Sequence, residues 1–223
     1  MNLAAGTENL KSDKPKAMPR DAELTRRRIL AAATAEFARK GLGGARVDEI
    51  AVRSKSNKRM IYHYFGGKEQ LFTTVLEAAY LGIRTAEKEL HLDELNPEIA
   101  ILRLVEFTWK YYLKHPEFLT LVNSENLHRA KHLKSSKLIK DASGQFVKMV
   151  KSILDRGVET GVFRAGIDPV QLNITIAAIS YYYINNHYTG SIVFERDLMS
   201  QESLGARLAF NLETILKLIK LKP

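Results

Sequence analysis

Hydrophobic residues recur at helical spacing along almost the whole chain, and no stretch alternates convincingly at the two-residue period of a strand. Leu30, Ala33 and Phe37 fall at i, i+3 and i+7 of a first helix that Asp21 can cap and Gly41, tolerant of left-handed backbone, can stop. Val47, Ile50 and Ala51 form a short amphipathic stretch. After Ser54–Asn57 a second one places Ile61, Tyr64 and Phe65 on one side, so two short helices are expected to meet through a tight turn. From Lys68 a longer pattern of Leu71, Phe72, Val75, Leu76, Ala79, Ile83, Ala86 and Leu90 holds helical spacing for about six turns and suits a link between two domains.

Pro97 opens a further helix whose apolar residues, Leu102, Val105, Trp109, Tyr112 and Leu113 with Ile101, Leu104 and Phe107, run almost full circle and call for central burial. His115-Pro116 breaks it. A shorter helix follows over about Glu117–His128, and a longer one from near Ser135 to Thr160, stopped by Gly161. Asp168-Pro169 combines a side-chain cap with proline at the first helical position and starts a helix reaching about Tyr188. Ser200 or Ser203 begins the last, in which Leu204, Leu208, Leu212, Ile215, Leu216 and Ile219 make one apolar stripe. The stretch from Met1 to about Pro19 is polar, charged and aperiodic, and reads as a flexible arm.

Composition narrows the function. The 223 residues, 45% hydrophobic and 26% charged, suit a globular protein of one large domain or of a small domain joined to a larger one. There is no cysteine, which removes disulfides, thiolate zinc sites and cysteine nucleophiles, and fits a reducing cytoplasm. No secretory signal or membrane span is expected, since even Leu172–Ile184 is interrupted by Asn173, Thr175 and Ser180. Lysine and arginine number 34 against 25 acidic residues, a net charge of +9. The first 90 residues hold 17 of those bases against 11 acids, so the excess is densest near the N-terminus and favours nucleic acid as partner.

The segment Lys58–Phe65 has two chemistries. Ile61 and Phe65, at i and i+4, can pack on Ile50 and Ala51, while Lys58, Arg59, Tyr62 and His63 project on the other side. A helix of that kind fits the major groove of B-DNA, where Lys and Arg donate to guanine O6 and N7 and Tyr and His reach phosphates or thymine methyls. Asn57 can cap the helix, and Lys68 can add a phosphate contact at the start of the next one.

In their order and spacing, Phe37–Ala38, Gly41, Val47, Ile50–Ala51, Tyr62–His63–Tyr64–Phe65, Lys68–Glu69 and Leu71 resemble the N-terminal domain of the TetR family of repressors. The motif covers about residues 24–72, and the following helices match the family's general plan. The resemblance implies an all-α fold of about nine helices. It consists of an arm over 1–20, a three-helix helix-turn-helix DNA-binding domain over 21–67, and a larger effector-binding and dimerisation domain over 68–223. It also implies base contacts from Lys58 and Arg59 and phosphate contacts from Tyr62, Tyr64 and Lys68, with His63 suited to either. Three positions depart from the family pattern. Lys55 stands where the turn usually carries glycine, and a non-glycine takes positive φ there at some cost. Ser56 replaces the usual apolar turn residue, and Arg46 replaces the usual threonine cap. Arg46 and Lys55 are also within reach of phosphate.

About 130 further residues should pair subunits and sense a signal. By the same resemblance the last two helices form a four-helix interface in a homodimer, with Leu172, Ile176, Leu204, Leu208, Leu212, Ile215 and Ile219 as its expected residues, on a near-palindromic operator. The candidate effector residues are Arg103, Phe107, Trp109, Tyr111, Tyr112, Asn123, Asn126, His128, Arg129, Phe146, Met149 and Tyr181. Aromatic walls with few polar groups suit a small apolar or aromatic ligand, and Arg129 or Arg103 can hold a carboxylate. Two rivals remain. Glu125, His128 and His132 at i, i+3 and i+7 can be part of a metal site in a helical metalloenzyme, but no second cluster supports it. A helical ligand-binding module with an inactive DNA-binding domain is the other. No catalytic motif and no cofactor are expected.

Overall fold

Side-chain caps and prolines set where most of the helices begin. Asn57 accepts from the Met60 amide, Asn96 from Glu98, Ser136 from Ile139, Asp168 from Val170 and Gln171, and Ser200 from Ser203, so each occupies amide donors that a helix start leaves free. Proline at the first position of three helices adds a preset φ at no hydrogen-bond cost. The computed structural model describes residues 19–134 and 136–221, which form ten α-helices and no named strand. They are α1 (Pro19–Gly44), α2 (Val47–Arg53), α3 (Lys58–Phe65), α4 (Lys68–Lys88), α5 (Pro97–Lys114), α6 (Pro116–Leu127), α7 (Lys137–Glu159), α8 (Pro169–Asn185), α9 (His187–Val193) and α10 (Gln201–Ile219). A 3-10 turn over Leu92–Glu94 precedes α5. Among these residues no helix is long and apolar enough to cross a membrane.

The expected elements are present with shifted ends. Asp21 lies in the first turn of α1 rather than capping it, where its charge suits the positive end of the helix dipole. Gly41 takes φ 65° and kinks α1, and helical turns resume through Gly44. The long helix expected from Ser135 starts at Lys137; Ser135 itself, and the arm expected over 1–20 as far as residue 18, lie outside the described residues. The helix expected to reach Tyr188 ends at Asn185, and α9 follows it as a separate short helix.

Three apolar clusters organise the helices. The first joins α1 to α4 through Ile29, Ala33, Phe37, Ile50, Ile61, Phe65, Leu71 and Phe72, and includes Leu121 of α6. The beginning of α4 and one turn of α6 therefore belong to the core of the N-terminal head. The second gathers α5, α7, α8 and α10 around Ile101, Val105, Phe146, Val150, Ile176 and Ile215. The third, with Ile83, Trp109, Tyr112, Phe118 and Ile184, lies between α4, α5, α6 and α8.

Candidate nucleic-acid interface and effector cavity

The head presents α3 as the sequence pattern predicts. Ile61 is fully buried and Phe65 nearly so. With these on the core side, Lys58, Arg59 and His63 are exposed and Tyr62 is 52% exposed. Arg59 makes no hydrogen bond or ion pair with another described residue, whereas Lys58 lies 2.6 Å from Asp48 in a pair exposed enough for water and salt to weaken it. Tyr64 is half-buried against the head core and packs edge-on to His63, so only part of its ring faces outward. Asn57 spends its carbonyl oxygen on the cap, 2.9 Å from the Met60 amide. Lys68 Nζ donates to the Gly43 carbonyl at 3.3 Å, joining the start of α4 to the end of α1.

The turn between α2 and α3 accommodates its unusual residues. Lys55 takes φ 51°, the left-handed conformation that glycine adopts without strain. Ser56 replaces apolar packing with a 2.6 Å hydrogen bond between its hydroxyl and that of buried Ser54. Arg46 is extended and exposed and makes no side-chain cap. Its amide lies toward Glu36, whose buried carboxylate meets Arg39 and Lys40 at 2.9 Å and Arg53 at 4.0 Å. Burial alone would raise the Glu36 pKa, but those cations and the amide hold it down at about 2. Glu36, which sequence reasoning missed, thus links α1 to Arg53 at the end of α2.

A cavity of about 650 Å³ opens between α4, α5, α6 and α8. Of the twelve expected effector residues it is lined by Tyr112, Asn126 and Tyr181. Asn123 stands behind the wall, accepting from the Tyr181 hydroxyl and donating to Asn185 at 2.6 Å. The other eight are placed elsewhere. Trp109 is buried edge-on to Tyr183, and Phe146 and Met149 pack into the second cluster. Arg103, Phe107 and Tyr111 line a separate outer groove, while His128 and Arg129 are exposed on the turn after α6. Helical spacing identified these side chains as aromatic or basic, but the direction each faces depends on which helices pack on it.

The cavity's charged residues are ones that sequence reasoning missed, Arg84 and Glu87 of α4. Their signal was an i, i+3 pair of opposite charge interrupting an otherwise apolar helix face. Arg84 Nε lies 3.1 Å from Glu87 Oε2, and the guanidinium stacks 4.1 Å from the Phe146 ring centroid. Burial pushes the Glu87 carboxyl up to about 7, against the pull of Arg84.

One further expectation changes, and one rival reading falls away. Leu172, Ile176, Ile215 and Ile219 are at most 1% exposed inside the subunit's own core and have no surface to give a partner. Leu204, Leu208 and Leu212 are partly buried against the same subunit. The apolar residues that α8 and α10 turn outward are Val170, Ile174, Tyr182, Phe210 and Leu218. Glu125 and His132 form a buried clip instead of a metal site. Nδ1 of His132 lies 2.7 Å from one Glu125 oxygen, and the other oxygen accepts from the His132 and Leu133 amides. His128 is exposed, and no group of three His, Asp or Glu among the described residues is placed to hold a metal ion.

Comparison with known proteins agrees with this geometry. Residues 29–75 match the model of bacterial regulatory proteins of the tetR family, and residues 97–215 match that of the tetracyclin repressor-like C-terminal domain. The chain is 40% identical over 189 residues to the HTH-type transcriptional repressor NicS of Pseudomonas putida, spanning 85% of this chain and 89% of NicS. It is 34% identical over 167 residues to the HTH-type transcriptional repressor SCO4008 of Streptomyces coelicolor, spanning 74% and 81% respectively. The crystal structure of SCO4942 from Streptomyces coelicolor superposes with a TM-score of 0.66 at 25% identity, over 87% of this chain and 98% of that one.

Proposed function

The chain belongs to the TetR family of bacterial regulatory proteins, and we propose that it is a transcriptional repressor that holds a near-palindromic operator as a homodimer until a small molecule enters the α4–α8 cavity. The observation that carries this reading is the division of α3. Ile61 and Phe65 lock one side into the head, and Lys58, Arg59, Tyr62 and His63 are left exposed together on the other. Arg59, without a partner among the described residues, is suited to a guanine edge, and Lys58 is suited to release Asp48 for one. Lys55, Arg46, Asn57, Tyr64 and Lys68 surround them as phosphate contacts. The outward faces of α8 and α10 supply the dimer contact, setting two recognition helices about 34–36 Å apart, one duplex turn.

Gel-shift titration with the chain's own upstream DNA at several salt concentrations tests the reading. Sequence-selective binding is expected. Arg59→Ala should erode the preference between operator and unrelated DNA by about tenfold or more, whereas Lys68→Ala should weaken both alike and flatten the salt slope by about one unit. Purely nonspecific binding by the unaltered protein, or the same profile for both variants, would overturn the assignment.

A further inference from the structure

The cavity between α4, α5, α6 and α8 carries one feature that its apolar walls do not explain. Arg84 and Glu87 line it as an ion pair, yet among the described residues neither the buried Nε nor the buried Oε2 has a hydrogen-bond partner, and the guanidinium donates no hydrogen bond to any of them. Arg84 is the only cation among the described lining residues. Its side chain is 16% exposed against 3% for Glu87, so of the two it is the more open to a ligand. Phe146 of α7 backs the guanidinium and holds its plane. Around it Tyr80, Tyr112, Phe118 and Tyr181 provide flat aromatic surface, and Asn126 and Asn173 provide amides.

Resting on the reading of this cavity as the effector site, we propose that it takes a small planar aromatic monocarboxylate, seated on the Arg84 guanidinium, while Glu87 takes up a proton from solvent. The chemistry excludes the simpler occupants. A neutral hydrocarbon would strip water from the guanidinium donors and return no acceptor. A cation paired with Glu87 would sit against the positive charge of Arg84, which is 3.1 Å from that carboxylate. A dianion such as a phosphate monoester would bring two charges to a single arginine already offset by a carboxylate. A monocarboxylate matches the planar fork of Arg84 and leaves one difficulty, a second carboxylate nearby, which protonation of Glu87 removes.

That protonation is within easy reach. Burial already pushes Glu87 up to about 7, and an incoming anion raises it further. The groups that face it are Arg84 on its own helix and the phenols of Tyr111 and Tyr112 on α5, both of which stay neutral in this range because burial raises them. From α8 the lining residues Asn173, Ile174, Ala177, Ala178 and Tyr181 add no charge at neutral pH, and α6 contributes Phe118, Leu119, Val122 and Asn126. Binding should therefore draw in about half a proton at pH 7 and nearly one at pH 8, and should be about tenfold tighter at pH 6 than at pH 8.

Isothermal titration of the full chain with benzoate and 2-naphthoate, and with benzamide and 2-naphthamide as uncharged counterparts, tests this in buffers of different ionisation enthalpy. The acids should bind with net proton uptake and the amides about 100-fold more weakly. Glu87→Gln should keep acid binding and abolish the uptake and its pH dependence. The double variant Arg84→Met with Glu87→Gln leaves no unpaired buried charge, so it should keep its thermal transition and lose acid binding by about 100-fold. Amides binding as well as acids, no acid binding at all, or unchanged uptake in Glu87→Gln would each overturn the proposal. Gel shifts with the same samples separate the two levels. If amides bind and release operator DNA, the regulator reading stands and the carboxylate fails; if the unliganded protein never selects an operator, the regulator reading itself fails.

Discussion

Glu36 offers a test of how the head is held together. Its carboxylate is fully buried, meets Arg39 and Lys40 at 2.9 Å and Arg53 at 4.0 Å, and lies near the Arg46 amide at the start of α2. Against the ordinary 4.5, a folded pKa of about 2 corresponds to about 3 kcal/mol of stabilisation by linkage. Arg39 and Arg53 are about half-exposed, so solvent screening reduces this to about 1–2 kcal/mol. The folded pKa is depressed, so this contribution is complete above the unfolded value of about 4.5 and is lost as the pH falls toward 2. Glu36→Gln keeps the shape and removes the charge. Urea unfolding of both proteins should differ by about 1–2 kcal/mol at pH 6, and the difference should shrink by more than half between pH 5 and pH 3. A difference that stays constant over that range would refute the electrostatic account and leave only a packing effect; no difference at pH 6 would refute both.

Other positions give independent checks. A Cβ added at Gly157 would lie 1.9 Å from Cδ2 of Phe163, a ring that is 1% exposed, so Gly157→Ala should lower stability by about 1–3 kcal/mol, and an unchanged thermal midpoint would contradict the packing described. At Lys55, where φ is 51°, Lys55→Gly relieves left-handed strain but frees the unfolded chain. The expected net gain is about 0.5–1 kcal/mol in urea unfolding, and a loss would show the turn to be unstrained.

Legibility in the sequence followed the number of partners each residue needs. The division of α3 could be read directly, because Ile61 and Phe65 are one turn apart and mark the buried side by themselves. Proline announced α5, and an acidic cap with proline announced α8, since Pro97 and Asp168-Pro169 act on their own backbone. α9 carries no side-chain cap and no proline, and its seven residues are too few to show a period. The faces of α8 were illegible for the opposite reason. Apolar residues surround it, so Leu172 and Ile176 look like Ile174 and Tyr182 until neighbouring helices cover one pair and leave the other outside. The cavity was least legible, because it is assembled from four helices and its charged pair belongs to α4, whose apolar stripe alone had marked it as a link.

That double membership gives α4 its place in the proposed mechanism. Its first turns sit in the head core through Leu71 and Phe72, and Arg84 and Glu87 lie on the cavity about 18–24 Å further along, twelve to sixteen residues at about 1.5 Å each. A continuous helix transmits a tilt at one end to the other without needing a chain of side chains. Three contacts from the α6–α7 region resist such a tilt: Lys131 to Glu69 at 2.9 Å, Ser136 to Glu77 at 2.7 Å, and the His132 ring edge-on to Phe72. The same region grips α1, where the Ser124 hydroxyl accepts the Leu42 amide and Leu121 completes the head core. A ligand can release DNA only if it favours the tilted arrangement over this clamped one. The proposed carboxylate meets that condition if the walls from α5, α6 and α8 hold it where only a tilted α4 brings Arg84 into full contact with it, since Arg84 sits on the element that must move.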